Sequence, residues 1–533
     1  MKNISYKTIK EWHYITILFS ATIILYLLLG KAEPIVDDYY IEHKLKLPGK
    51  LTPLLAYTFI YKGLDINALK ENGQIPWWSE PGISVNFFRP FASLYLFLMW
   101  KFKSFYLLYI TGIILFSLSV IILFKILLLK RLSLILSAAS SFIFMVLTSH
   151  CITVTWPAAV NDLLGLLLVL LGFYFLEKYL IQPNPVFLLL LLLSFLCSGM
   201  SKETYLASPI WLIARLYLME LPQKATEYKK KITIYMLSLL TMNSLYFLFY
   251  LKIGFGTNCA YYIPFYEIAL YLRHGLPSLL DGIAALFAIN FSLRTSSILP
   301  NYIFGVLLLS LLFYLLKLRR FLFMIILFLP VAIILPRDMS MRLLSAPLAV
   351  LFIYLTPEIF NLIKSARLIK IACIIIVILN LFSTYMQAYL RDRYLESIGS
   401  LIKEIEKTPS DSIVLVAGNP FPGIHFTIDI VYTKKTGKLA PKIFVLHPSF
   451  GEVKVKYNEK QLVLEGSSHS PISYIFRLPQ NKDLFKGETS VFKAYEEIEG
   501  KVIINIKENV DINKVYLLRF DGRNYSTERL LNQ

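Results

Sequence analysis

Apolar runs of bilayer-crossing length alternate with short polar stretches over roughly the first 390 residues. They predict spans near 14–30, 105–124, 132–148, 158–176, 186–199, 204–219, 232–251, 302–317, 321–335, 343–357 and 370–389. The first run lacks a small-residue cleavage site and reads as a retained span. Two further apolar pieces are too equivocal to count. Residues 88–103 read as a juxtamembrane or re-entrant helix, and 278–293 as an interfacial one. Beyond residue 390 the pattern changes. "RDRYLESIGSLIKEIEKT" has helical periodicity, and "SIVLVAG", "FTIDIVY", "KIFVLHPSFG", "EVKVKYNEKQLVLEG", "KVIINIKE" and "KVYLLRFDG" read as short strands between turns. The expected fold is a mainly α polytopic membrane module of about eleven transmembrane helices over 1–390, followed by a small C-terminal β-rich or α/β domain over 391–533.

Composition agrees with a membrane protein: 56% of the 533 residues are hydrophobic. The net charge of +19 would fit nucleic acid, but its distribution argues against that partner. Basic residues gather in short runs between apolar segments, as in "KR" at 130–131, "EYKKK" at 227–231 and "KLRR" at 317–320. Lys and Arg resist translocation, so these runs mark cytoplasmic loops. With the N-terminus cytoplasmic, eleven crossings leave every basic cluster inside. Residues 31–88 then form the first extracytoplasmic loop, and the C-terminal domain lies outside. Cys151, Cys197, Cys259 and Cys373 show no metal-ligand spacing, and a Cys151–Cys259 disulfide is left open.

The same topology collects charge on the outer face. The first loop carries Asp37, Asp38, Glu42, His43, Trp77, Trp78 and Glu80, and Arg89 stands at its end. Later outer segments bring His150 and Asp162, then Lys202 and Glu203, then Arg273 and His274, then Arg337, Asp338 and Arg342. Charges at membrane depth are costly and usually functional. Each also has a plain structural explanation. Adjacent acids after a helix are often solvated, Asp162 complements a helix dipole, Lys202 and Glu203 can form a capping pair, His150 reads as a loop histidine, and Trp77, Trp78 and Trp156 suit a membrane interface.

Taken in order, these segments resemble the type C glycosyltransferases, in particular the protein O-mannosyltransferase and aminoarabinose-transferase-like group. "IVDDYY" is similar to the paired acidic motif of that group's first loop, and "FFRPFASLYLF" to the motif closing the loop. "NDLLGLLLVLLGFYFLEKY" matches its aspartate-led helix, "SKETYLASP" its SKE motif, and "MRLLSAPLAVLF" its late arginine segment. The last departs from the family's aromatic-rich version, and the C-terminal domain matches no domain of the group. The resemblance implies transfer of a hexosyl or pentosyl group from a polyprenyl-phosphate carrier to a hydroxyl of a protein, lipid or polysaccharide acceptor. It implies a multi-pass protein, here assigned to a bacterial plasma membrane. No cofactor is required by it, although a divalent metal stays open.

Such a transfer needs a group to take the acceptor proton and cations to stabilise the departing phosphate. Asp37 is the expected general base, with Asp38 orienting it or binding sugar or acceptor. Neighbours in an extended segment point apart, so the two acids need different roles. Arg89, Lys202 and Arg342 are expected at the carrier phosphate, Glu203 holding Lys202, and Asp162 at a sugar hydroxyl. The competing classes are a polysaccharide ligase or polymerase, whose key residues sit in a late outer loop, and a lipid-linked glycan transporter, which should show repeated halves.

Overall fold

A computed structural model describes the chain except residues 1, 31–32, 47–51, 61–62, 220–225, 260–317, 335–344, 363–365, 419–426, 449–450, 459, 467–475, 479–482 and 531–533. Five of its helices are long and apolar enough to cross a membrane, or six if the bent pair Leu134–Val146 and Thr148–Thr155 is one span. This count, among the described residues, is lower than the expected eleven. Several expected spans are short helices: Pro185–Ser201, Ser208–Leu218 and Ser345–Pro357. The expected span 302–317 and the interfacial piece 278–293 lie outside the described residues. Residues 88–103 contain a helix of only 11 residues, Pro90–Trp100. At ~1.5 Å per residue it falls well short of a ~30 Å hydrocarbon core.

Among the described long apolar helices the most enclosed is Val160–Ile181, packed between Phe105–Leu129 and Pro185–Ser201. It is leucine-rich all round, and only one stripe, with Leu167, Leu171, Tyr174 and Lys178, is partly exposed. Two glycines let its neighbours close in: a Cβ at Gly165 would strike the Tyr205 ring, and one at Gly172 the Phe195 ring. Where Leu134–Val146 meets Thr148–Thr155 the axis bends by 52°. Asn380 of the long helix Ala366–Glu406 stabilises the break, its Oδ1 accepting from both the Thr148 amide and hydroxyl at 3.0 Å. At the other end of the bundle Glu177 is buried among Lys130, Arg215 and Tyr354, and its Oε1 accepts from the Tyr354 hydroxyl at 2.9 Å.

The C-terminal region holds two sheets. Strands β4 (Ile413–Ala417), β5 (Lys442–Val445), β11 (Val515–Phe520) and β12 (Tyr525–Arg529) run in the order β12-β11-β4-β5, with β11, β4 and β5 parallel. The other sheet is antiparallel and built from β6 (Lys454–Asn458), β7 (Gln461–Glu465), β8 (Lys486–Glu488), β9 (Phe492–Ile498) and β10 (Lys501–Ile506). One expected strand is a helix. "FTIDIVY" begins Ile428–Thr436, whose first-turn Asp429 and last-turn Lys434 and Lys435 complement the dipole and whose cap Gly437 has φ +71°.

Side chains alternate across the four-stranded sheet with period two. Val414, Val416, Ile443, Val445 and Leu518 face the end of Ala366–Glu406 and the helix Ile428–Thr436, where Ile35 and Tyr39 of the first loop join them. Leu415, Phe444, Leu446 and Leu517 face the antiparallel sheet, where Trp77, Trp78, Ile60 and Val85 of the same loop join them. The first loop therefore contributes to the core on both sides of that sheet. It is also tied to the chain near residue 257. β1 (Thr58–Ile60), β2 (Ser84–Asn86) and β3 (Gly256–Asn258) form an antiparallel sheet in that order.

Trp77 and Trp78 are thus core residues at 1% exposure, not interfacial aromatics. The Trp77 indole donates to the Leu446 carbonyl at 3.0 Å, and the two rings meet edge-on at 5.2 Å. Trp77→Ala should cost about 3–5 kcal/mol, a typical loss for truncating a buried tryptophan. Thermal unfolding in detergent will show this as a lowered midpoint. An unchanged midpoint would mean that the first loop and the C-terminal region are not packed together as described.

Candidate functional site

The acid pair opens the helix Val36–Lys46. Both carboxylates lie in its first turn, where the unsatisfied amides and the dipole favour negative charge. The segment is helical, not extended as expected, so the two side chains diverge by about 100° around the axis. Asp37 is half-buried and Asp38 is buried, at 2% exposure. Asp38 reaches back to accept from the Ile35 amide at 2.7 Å, as in the second half of a capping box. Its other oxygen accepts from the Ala158 amide at 2.6 Å, 120 residues away. Burial pushes the Asp38 carboxyl up to about 8, and the neighbouring Asp37 charge adds to this, although the two amides and Arg391 pull the other way.

Ala158 belongs to the turn Pro157–Ala159, which precedes Val160–Ile181. Its carbonyl accepts from the Tyr57 hydroxyl at 3.0 Å, so the first loop holds this one residue through both its amide and its carbonyl. Tyr57 is buried and lies within electrostatic reach of Arg89, Asp162 and Asp38. The Arg89 guanidinium stacks 4.3 Å from the Phe87 ring centre and 5.1 Å from that of Tyr57. It grips Glu203 through a two-pronged contact, Nε donating at 3.0 and 3.1 Å and a terminal nitrogen at 2.8 Å.

Lys202 and Glu203 leave the chain in different directions for a local reason. Lys202 ends the helix Pro185–Ser201 in extended backbone, φ −160° and ψ 141°, before the 3-10 turn Glu203–Ala207. Lys202 therefore pairs with buried Asp162, while Glu203 reaches Arg89. This corrects the expected pairing of Glu203 with Lys202. Asp162 starts Val160–Ile181, and its backbone carbonyl also accepts from the Tyr205 hydroxyl at 3.1 Å. Its Oδ2 has no hydrogen-bond partner among the described residues.

Asp38, Arg89, Asp162, Lys202 and Glu203 are thus linked around Tyr57 and Ala158, while Asp37 stands beside Asp38 and within electrostatic reach of Tyr394. Arg342 lies outside the described residues, as do Arg273, His274, Arg337 and Asp338. Other charges of the first loop are taken up by the C-terminal region. Glu42 pairs with Lys46 and Lys434, and Glu80 with Arg477 at 3.3 Å. His150 is no loop histidine: it is fully buried, between Phe116 and Phe144, with Nδ1 3.0 Å from the Ser345 hydroxyl. All four cysteines are free thiols, so no Cys151–Cys259 disulfide forms. Among the described residues no three His, Cys, Asp or Glu side chains could hold a metal ion.

Arg391 is the site residue that the sequence did not single out. A terminal nitrogen of its guanidinium donates to the Glu33 carbonyl at 3.1 Å, and the group lies within electrostatic reach of Asp38. Its position just past the last apolar run made it look like the start of the C-terminal domain. The available signal was the spacing of polar residues upstream on the same helix. No protein-family model matches the chain, and no curated protein matches it.

The burial of Asp38 has a pH consequence. An aspartate in an unfolded chain titrates near ~3.9. Between that pH and about 8 the folded chain holds a proton that the unfolded chain has lost. Its contribution to stability is fully present below the lower value and is lost as pH rises through the upper one. The unfolding midpoint should therefore fall from pH 5 to 8 more steeply in the wild type than in Asp38→Asn. That variant loses one amide acceptor, so the slopes and not the absolute midpoints are compared. Equal slopes would show that Asp38 does not titrate in this window.

Proposed function

We propose that this protein is a membrane glycosyltransferase resembling the type C enzymes, moving a sugar from a polyprenyl-phosphate carrier to an acceptor hydroxyl. The observation that carries this reading is the gathering of Asp38, with Asp37 beside it, and of Arg89, Lys202, Asp162 and Glu203 around Tyr57 and Ala158. These residues span more than 160 positions, and the segments that bear them follow the order of the family's motifs. The reading includes a multi-pass protein of a bacterial plasma membrane, with the N-terminus cytoplasmic and the C-terminal domain outside.

The two acids take different parts. Asp38 has both oxygens committed to amides and fixes the loop against Ala158. Asp37, half-buried on the next helix position, is the general base. It takes the proton of the acceptor hydroxyl as that oxygen bonds to the anomeric carbon. The bond from this carbon to the phosphate oxygen breaks, its electron pair leaving on the phosphate. Arg89 and Lys202, held in position by Glu203 and Asp162, supply positive potential where that charge grows. Arg342 is proposed at the same phosphate. Most of the rate comes from positioning and from this field, in a site partly withdrawn from water.

The test is sugar transfer from a labelled polyprenyl-phosphate donor in vesicles holding the full chain. Removing a general base costs about 10²–10⁴-fold, so Asp37→Asn should lower kcat by at least about 100-fold while donor KM changes little. A folded Asp37→Asn protein with wild-type turnover would remove Asp37 from the mechanism.

A further inference from the structure

The helix Ala366–Glu406 carries a polar stripe along an otherwise apolar length. Asn380, Thr384, Gln387, Arg391 and Tyr394 follow one another at three- or four-residue steps and so share one face. Phe382, Tyr385 and Tyr389, on other faces, are exposed. The stripe is turned into the protein: Asn380 and Thr384 are 0% and 1% exposed and meet Thr148 and Cys151 of the broken helix. Polar groups along an apolar helix are expensive and tend to mark function.

Its upper end is the informative part. Asn380 is accounted for by the break it stabilises. Arg391 lies about three turns further along. It brings a guanidinium to the acid pair, donating to the Glu33 carbonyl just ahead of Val36–Lys46. Arg89 and Lys202 are each bound to a carboxylate, Glu203 and Asp162. Arg391 stands within electrostatic reach of Asp38 on the acids' own side of the site. A planar guanidinium matches phosphate through paired donors, which a point-charge ammonium does not. Within two turns the same helix enters the C-terminal core. Tyr394, Ile398 and Leu401 pack there with Ile35, Tyr39, Val414 and Val416. Arg391 thus sits on a rigid element anchored below at Thr148 and above in the sheet. A site built on such an element is positioned more accurately than one on a loop.

We infer that Arg391 is a further donor-binding residue, its guanidinium taking the phosphate of the lipid-linked sugar beside the acid pair, and that the C-terminal domain is part of the site because it holds the helix that presents Arg391. This deepens the transferase reading and rests on it for the identity of the donor. The phosphate contact itself can be read without turnover.

The full-length protein in vesicles is assayed with a short-chain polyprenyl-phosphate sugar and is titrated with the same polyprenyl phosphate lacking sugar. Losing a charge-assisted phosphate contact should raise donor KM about 10-fold or more in Arg391→Ala and weaken inhibition by the sugar-free phosphate by a similar factor, with kcat changing less. Arg391→Lys keeps the cation but loses the fork, and should recover part of the binding while staying about 3-fold weaker than wild type. This variant decides the matter if Arg391→Ala fails to fold. A folded Arg391→Lys with wild-type donor KM and inhibition overturns the inference, as does an Arg391→Ala whose only defect is in kcat. The two readings fail separately. If the wild type transfers no sugar, yet polyprenyl phosphate protects it from thermal unfolding only when Arg391 is intact, the phosphate contact stands and the transferase reading falls. If transfer proceeds and no Arg391 variant affects it, the contact falls and the reading stands.

Discussion

An ionised side chain withdrawn from water must meet an opposite charge or a set of dipoles, or give up its charge. That demand organises the site. Asp162, Lys202, Glu203 and Arg89 sit at the ends of apolar helices, where hydration is already thin, and each is paired. Asp38 meets two backbone amides, one from its own helix start and one from the turn before Val160–Ile181. Because the Ala158 amide and the Glu203 carboxylate come from distant parts of the chain, satisfying Asp38 and Arg89 also fixes how the first loop lies on the bundle. The extended backbone at Lys202 makes this workable: it sends two neighbouring charges to two different elements.

The second organising feature is the four-stranded sheet, each face of which is covered in part by the first loop. Ile35 and Tyr39 cover one face beside the acid pair, and Trp77 and Trp78 cover the other. The loop and the C-terminal region therefore share their apolar cores, and neither can shift without exposing the other's side chains. Several first-loop acids that look catalytic in the sequence are explained by this contact. Glu42 and Glu80 serve as its ionic rim, through Lys434 and Arg477.

Much was legible in the sequence where a local rule operates. Apolar length marked the long helices, and short β-rich runs between turn signals marked β4, β5, β7 and β10. The charged residues of the site were legible as candidates because charge beside an apolar run is unusual. Their pairing was not, since nothing in "SKE" says that the lysine turns to Asp162 and the glutamate to Arg89. The tryptophans misled for a related reason. An exposed loop and a loop buried under a later domain have the same local composition. "FTIDIVY" read as a strand because β-branched residues outweighed the charges at the two ends of the helix.

The sequence by itself determined the apolar character of the bundle, the strand-bearing C-terminal region and the set of acids and bases available for chemistry. These follow from hydropathy, periodicity and residue type, which act over a few positions. Tertiary structure alone decided which of the adjacent acids is buried, which cation each carboxylate holds, and that Arg391 stands beside Asp38. Those outcomes depend on desolvation and on contacts between residues from 40 to more than 300 positions apart. Only the packed chain sets the distance and the dielectric between such groups.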